Sequence, residues 1–436
     1  MASNEYTKGG DVKLSEVILT RLSDGYSQSI KPQVKEIIVY ESLFSHLIHG
    51  QILLYDAIGL YNTFPLVGEE KLNIKYGIPG QNDIPEVEIE VHLFSIEAID
   101  NDDSNLATGY VAKFISLEKR FDVINSVTNP YSLIVSDMVK RIVKDHLNSS
   151  KKLSVEDSFG EQEVVFPNVS PISALDFCVS KAVSRDNISS SYVFFESLDQ
   201  QFFFKTIEQI IKEAKQKEMQ SYTLSPQEFA ANDGGGSARD IDFTKINVFS
   251  PKKRFNTLRK FRDGLLDSEL VQFDILTKKQ SSTKYSYRDM FNKVEHVDDR
   301  SSGKMLTDTF LQQHESVSQF DATRAEYSYL IKDSSKLSSN ISRSYGFRKM
   351  YMASLQQNLL TAVLPGNPLM RSGQMINVDV PIFSGTTDGL LNDNYLSDNF
   401  LITSTKTVIT GENAYSITVD LCKDSYLNGI DLKGVL

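Results

Sequence analysis

Strict polar–apolar alternation runs through Glu86–Leu93, EVEIEVHL, and a period of two is the signature of a half-buried strand. The same texture holds from about Lys13 to Leu117. Val17, Leu19 and Arg21 share one short run, Val34, Ile37, Ile38 and Val39 the next, and Gly50 leads into QILLYDA. Tyr110–Leu117, YVAKFISL, is expected to pair with Glu86–Leu93 across the acidic turn DNDDSN. Several strands with short turns and little helix predict an antiparallel barrel or sandwich.

The period changes at Asn129-Pro130. Tyr131, Ile134, Met138 and Ile142 recur at helical spacing, which predicts an amphipathic helix ending near His146, with Asp137 and Arg141 placed to pair. Ser170-Pro171 supplies the N-cap and first-turn proline of a second helix, striped by Ile172, Leu175, Val179 and Ala182. VVFPN between them reads as a short strand, and YVFFE and QFFFK flank SLDQ as a hairpin. A charged helix from Ile207 to about Met219 closes an α+β module, and Asp233–Ser237, DGGGS, reads as a junction.

Strands resume at Ile246–Phe249 and Glu269–Lys278. A serine-rich polar stretch covers residues 301–342, and Arg343–Met352 reads as a helix despite Gly346. From Leu355 onward QNLLTAVL, QMINVDVPI, FLITSTKTVI and YSITVDLCK are strands, turned by Gly366-Asn367-Pro368 and Gly411-Glu412-Asn413. The chain therefore reads as a mainly β protein with an α+β module. The expected divisions are a first β-barrel (residues 1–120), the α+β module (121–232), a junction with the first strands of a second barrel (233–300), a polar insertion with a helix (301–354), and the remaining strands with a tail (355–436).

At 436 residues the chain exceeds one core's usual reach, so several domains are expected. No apolar run approaches the roughly 20 residues a bilayer-spanning helix needs, so no stable membrane insertion is expected. MASNEYTKGGDVK has no apolar core behind its charges, so no secretory signal is expected, and synthesis and folding are placed in a cytoplasm. Cys178 lies in a helical apolar pattern and Cys422 at a strand end, and both are expected to be buried thiols. Tryptophan is absent, while 25 Phe and 19 Tyr suit strands and packed interfaces. A net charge of −11 repels phosphates, which disfavours sequence-specific nucleic-acid binding but suits a surface past which DNA slides.

Chemical motifs fall away on inspection. His46 and His49 lack a third ligand, so packing or surface roles are expected and no metal. Asp100-Asn101-Asp102-Asp103-Ser104 begins like a calcium loop, but Asn105 stands where glycine belongs and Val111 where the bidentate acid belongs, leaving a solvated turn. Gly234-Gly235-Gly236-Ser237 lacks the lysine of a phosphate loop and reads as a linker. No serine sits in a glycine-flanked elbow. No catalytic residue, metal site or cofactor is expected.

Short motifs then recur in a familiar order. Tyr40-Glu41-Ser42 is followed by the turn region from Asp56 to Gly59 and the step Gly68-Glu69. Pro167-Asn168 leads through Ser170-Pro171-Ile172-Ser173-Ala174-Leu175, and Gly366-Asn367-Pro368, Gly373 and Lys423-Asp424-Ser425 come last. In this order they resemble the central baseplate-hub proteins of contractile-tailed bacteriophages, related to the hub domains of contractile injection-system spike proteins. The resemblance spans roughly residues 13–426. The polar stretch at 301–342 and the tail YLNGIDLKGVL match no family element.

The resemblance implies two tail-tube-like antiparallel barrels per chain and a structural, non-enzymatic role in the virion's tail baseplate. It implies a homotrimer that adapts a sixfold tail tube to a trimeric tail-spike protein, touches surrounding baseplate wedge proteins, and lines the channel through which DNA passes. No fused needle is visible, so the spike is expected as a separate partner. The motif residues above are expected at turns and subunit contacts. Two other readings stay open: a tail-associated peptidoglycan-degrading enzyme, and a peripheral baseplate attachment protein without spike contact.

Overall fold

The computed structural model describes residues 9–56, 59, 64, 66–80, 84–99, 108–186, 189–224 and 243–253. Beyond these it describes 267–273, 278, 280–286, 289, 291–301, 317–320, 341–356, 358–382, 391–393, 396–411 and 414–426. The acidic turn at 100–105, the Gly234–Ser237 linker, most of the 301–342 stretch and the tail at 427–436 lie outside the described residues.

The N-terminal strands build a first barrel whose inward positions are apolar, among them Val17, Ile52, Ile74 and Ile89. Val34–Ser42 pairs with His49–Asp56, which pairs in turn with Thr108–Ile115, Val87–Ile99, Lys71–Gly77 and Lys13–Thr20, every step antiparallel. The strand that EVEIEVHL opens does pair with YVAKFISL, but chiefly through its continuation Ser95–Ile99. Of the octet itself only His92 and Leu93 lie opposite that strand, at Ile115 and Phe114, with a bulge between Leu93 and Ser95. Val87, Ile89 and Val91 are buried, while Glu88 is exposed.

A second barrel takes its strands from distant parts of the chain. Val248–Lys253, Asn358–Pro365, Tyr415–Lys423, Asp398–Thr410 and Met375–Asp379 pair antiparallel in that order. Gln220–Thr223 adds in parallel to Met375–Asp379, and Thr223 bridges Lys245, the Ile246 N–H donating to its carbonyl at 3.0 Å. That bridge closes the ring just ahead of Val248–Lys253.

The barrels share backbone. Residues 404–410 of the Asp398–Thr410 strand pair with Val34–Ser42, while residues 398–401 pair with Met375–Asp379. One thirteen-stranded sheet therefore runs through both barrels. Tyr415 N–H also donates to Gly10 O at 2.6 Å, tying the chain ahead of the first strand to the second barrel's hairpin. Val17, Ile74 and Phe114 from one barrel and Leu364, Ile402 and Val419 from the other belong to a single apolar core. Cys178 and Cys422 are free, buried thiols, as the sequence predicts.

In the α+β module the structure departs from the helix read across Tyr131–Ile142. Pro130–Ile134 is a strand, paired antiparallel with Glu161–Val165, and the helix begins only at Val135 and runs to Arg141. A partner strand overrides helical spacing here: Tyr131 turns inward onto Phe166, and Ile134 keeps an extended ψ of 144°. The helix then widens into a π-helical turn over Ile142–His146, and Asp137 pairs with Lys140 at 2.8 Å rather than with Arg141. Glu118–Ile124 is a short helix that no apolar stripe announces.

Other elements follow the sequence. Ser170 caps Pro171–Lys181 by accepting from Ser173 N–H, and Tyr192–Ser197 and Gln201–Thr206 form the expected hairpin. Helix Ile207–Lys215 buries Ile207, Ile210, Ile211 and Ala214. Asp267–Phe273 pairs with Gln280–Ser286 and, in parallel, with Val317–Phe320. Helix Ile341–Leu355 accommodates Gly346 because the Tyr285 ring lies where a Cβ would stand. Among the described residues no helix is long and apolar enough to cross a membrane.

Candidate functional site

The motif residues gather into two buried polar clusters, with a few left at separate turns. The first cluster sits where the barrels meet. Glu41, 2% exposed, accepts from the Ser372 N–H at 3.0 Å, and its own carbonyl accepts from Ser372 Oγ at 3.2 Å. Burial raises its carboxyl to about 7, against the opposing pull of nearby Arg371. Arg371 fastens its own turn to the hairpin at Asp199: its Nε and Nη2 donate to Asp199 Oδ1 at 2.9 and 2.8 Å, and its Nη1 donates to Pro368 O and Met370 O at 2.6 and 2.8 Å. Ser42 Oγ donates to Thr403 O at 3.3 Å across the shared sheet. Tyr40 stacks on His49 at 5.3 Å with Lys406 Nζ 5.9 Å from its ring.

The Gly366-Asn367-Pro368 turn closes this joint from the second barrel. Asn367 Nδ2 donates to Gln220 Oε1 at 2.8 Å, and its Oδ1 accepts from Leu369 N–H at 3.0 Å. Gly373, at φ +87°, donates its N–H to Ile402 O at 2.8 Å. Gly366 lies under the buried Tyr415 ring, and a Cβ there would stand 2.0 Å from it. Tyr415 in turn meets Tyr76 of the first barrel edge to face at 5.6 Å. A Gly366→Ala variant is expected to lose about 1–3 kcal/mol, read as a lower thermal midpoint, because neither ring has room to withdraw.

The second cluster is built on Lys423-Asp424-Ser425. Lys423 is 1% exposed; its Nζ lies 2.8 Å from Asp398 Oδ2 and 4.9 and 4.3 Å from the centres of the Phe400 and Tyr426 rings. Asp424 accepts from Val297 N–H at 3.1 Å and pairs with His296 Nδ1 at 2.5 Å. Ser425 Oγ accepts from Asp298 N–H at 2.6 Å, and Asn399 Nδ2 donates to Asp298 Oδ1 at 2.8 Å. Burial first, and the Asp398 charge second, raise Asp298 to about 7. The cluster thus clamps the 296–298 segment onto the last strand of the second barrel.

Asp56, Gly59, Gly68 and Glu69 belong to neither cluster. Asp56 ends the His49–Asp56 strand, buried, and Gly59 and Gly68 hold φ of 74° and 86°. Glu69 is exposed; its neighbour Glu70, 1% exposed, accepts from the Val67 and Gly68 N–H groups at 2.7 and 3.0 Å. His46 Nε2 pairs with Asp176 Oδ1 at 2.8 Å, and no group of metal-ligating side chains lies together among the described residues.

Three further fasteners escape the sequence. Glu196, 1% exposed, accepts from Ile48 N–H at 3.1 Å and Ser116 Oγ at 2.5 Å. It shares Lys151 Nζ, at 2.6 Å, with Glu118, at 2.8 Å, and so locks the α+β module to the first barrel. Glu208 accepts from Ser189 Oγ and Ser191 Oγ, and burial raises it to about 7. Arg348 Nη1 meanwhile donates to Val179, Ser190 and Tyr192 carbonyls, docking helix Ile341–Leu355. No local signal marks these residues, because their partners come from elsewhere in the chain. Chemically, the hydrogen bonds and ion pairs of these clusters join distant segments, so the clusters fasten elements together.

No family model and no curated protein sequence matches the chain. Solved structures do. The tail protein from Neisseria meningitidis MC58 superposes with a TM-score of 0.52 at 9% identity, over 96% of this chain and 97% of that one. The 43 kDa tail protein of prophage MuSo2 from Shewanella oneidensis gives a TM-score of 0.55 at 10% identity, over 94% and 98%. The chain therefore has, over nearly its whole length, the fold of these tail proteins, in keeping with the baseplate-hub resemblance.

Proposed function

We propose that the chain is a structural protein of a contractile tail, the central hub of the baseplate. Three copies would join a sixfold tail tube to a trimeric spike and surround the channel through which DNA leaves. The observation that carries this reading is the seam between Val34–Ser42 and Asp398–Thr410, which makes two barrels one continuous sheet. Two barrels per chain give six in a threefold ring, so one face matches sixfold symmetry and the other threefold. The buried clusters at Glu41 and Lys423 hold the barrels and the 296–298 segment without hinges, which suits a part that transmits a contraction stroke as a rigid body.

Three copies carry three times −11, so the channel would not hold DNA by releasing counterions. The tail tube and wedge proteins are the remaining expected contacts, and the fold's matches to tail proteins favour architecture over catalysis. Light scattering tests the reading. The purified chain, alone or only with its spike, is expected at three times 49.1 kDa. A strict monomer that ignores the spike would remove the adaptor mechanism.

A further inference from the structure

Helix Glu118–Ile124 is turned against the usual logic of burial. Its acids face inward: Glu118 and Asp122 are each 4% exposed, Glu118 held by Ser149 and Lys151 and Asp122 by Lys119 and the Ile172 N–H. Its aliphatic end faces out, with Val123 75% and Ile124 67% exposed. Burying carboxylates while leaving branched aliphatics in water opposes the hydrophobic effect, so folding of the isolated chain does not account for it. The two aliphatics wall a groove of about 620 Å³ whose floor holds Leu93, Ile115 and Phe94, the last 56% exposed. His92 also lines it, and burial lowers its pKa, so it adds no charge at neutral pH. Arg120 stands exposed beside the groove, without an ion pair among the described residues.

A complementary surface lies on the same chain. In the two-stranded ribbon of Pro130–Ile134 and Glu161–Val165, Glu161, Glu163 and Val165 all face solvent, Val165 at 68% exposure and opposite Pro130. Neither glutamate has an ion pair among the described residues. The groove carries the exposed Arg120 and the exposed Glu69 beside its aliphatic wall; the ribbon brings an apolar end to that wall and two unpaired anions to Arg120.

We propose that the groove receives the Glu161–Val165 ribbon of a second copy, with Val165 against Phe94, Val123 and Ile124 and a ribbon glutamate on Arg120. Groove and ribbon are different surfaces, so the contact is head-to-tail, and it closes a ring of three where each contact turns the next copy by a third of a turn, as the trimeric reading requires. This assignment rests on the trimeric reading and names its interface. Aromatic residues and Arg are enriched at the centres of protein interfaces.

The test uses the full chain in sedimentation velocity over a concentration series, with circular dichroism to confirm folding. Wild type is expected as a trimer and Ile124→Asp as a monomer; both positions altered are exposed, so the fold should survive. Arg120→Glu is expected to weaken association about 10-fold or more, the effect of a lost ion pair at a desolvated contact. Adding Glu161→Arg and Glu163→Arg to Arg120→Glu is expected to restore it, because each copy's reversed groove then meets a reversed ribbon. A wild-type trimer indifferent to Ile124→Asp and Arg120→Glu overturns this interface and leaves the trimeric reading standing. A loss through Ile124→Asp that charge reversal cannot mirror overturns the ribbon as occupant. A wild-type monomer at every concentration, with the spike present as well as without it, removes both.

Discussion

Replacing Lys423 by alanine is expected to lower the unfolding free energy by about 3–5 kcal/mol, the cost of stranding one partner of a buried ion pair. The reason is the company it keeps. Asp398 lies 2.8 Å from Nζ, and Asp298 stands close enough for the Asp398 charge to raise its pKa. Removing the cation leaves these carboxyls to face one another in a low-dielectric pocket. It also empties the space between the Phe400 and Tyr426 rings, which lie 4.9 and 4.3 Å from the ammonium. Equilibrium urea unfolding measures the loss. The double variant Lys423→Met with Asp398→Leu removes both charges and keeps the volume, and it is expected to recover most of the stability. If Lys423→Ala unfolds at the wild-type midpoint, the cluster does not fasten the 296–298 segment.

The chain is expected to be more stable at pH 5 than at pH 8. Glu41 and Glu208 are raised by burial from 4.5 to about 7, and Asp298 from 3.8 to about 7. An acid whose folded pKa lies above its unfolded value binds a proton more tightly when folded. Its contribution is therefore full below the unfolded pKa and is lost as pH rises through the folded one. The window lies between about pH 4 and pH 7. Each of the two fully buried glutamates accounts for roughly 2–3 kcal/mol between pH 5 and pH 8, at 1.36 kcal/mol per unit. Glu86 and Asp420, whose pKa values are lowered, act with opposite sign and only in more acid solution. Glu208→Gln should flatten the profile by one group's share and raise stability at pH 8, since the amide can still be met by the Ser189 and Ser191 hydroxyls. Urea midpoints at the two pH values check this. An unchanged slope in Glu208→Gln would show that this carboxyl is already ionised in the folded chain.

Much of the fold was legible in one dimension. Alternation located Val87–Ile99 and its partner, the hydroxyl–proline pair Ser170-Pro171 located a helix start to the residue, and the SLDQ hairpin folds as read. Misreading Pro130–Ile134 as helix has a plain cause: Tyr131 and Ile134 satisfy helical spacing, yet the segment's fate was settled by Glu161–Val165, nearly thirty residues on. Helix Glu118–Ile124 was invisible because its buried residues are acids, and acids are buried only where a distant Lys151 or Ile172 amide waits for them.

The candidate site divides the same way. Local backbone requirements are readable in one dimension: Gly366 in its turn, Gly373 at positive φ, the strand ends around Tyr40-Glu41-Ser42 and Lys423-Asp424-Ser425. These follow from sterics and periodicity over a few residues, which any short window of sequence contains. Folding in three dimensions brings Glu41 to Ser372, 331 residues away, turns Lys423 inward onto Asp398, and joins the two barrels in one sheet at Ser42 and Ser404. Pairings of that kind are set by which surfaces exclude water together, and the energy of a buried charge depends on the partner it finds rather than on its neighbours in the chain.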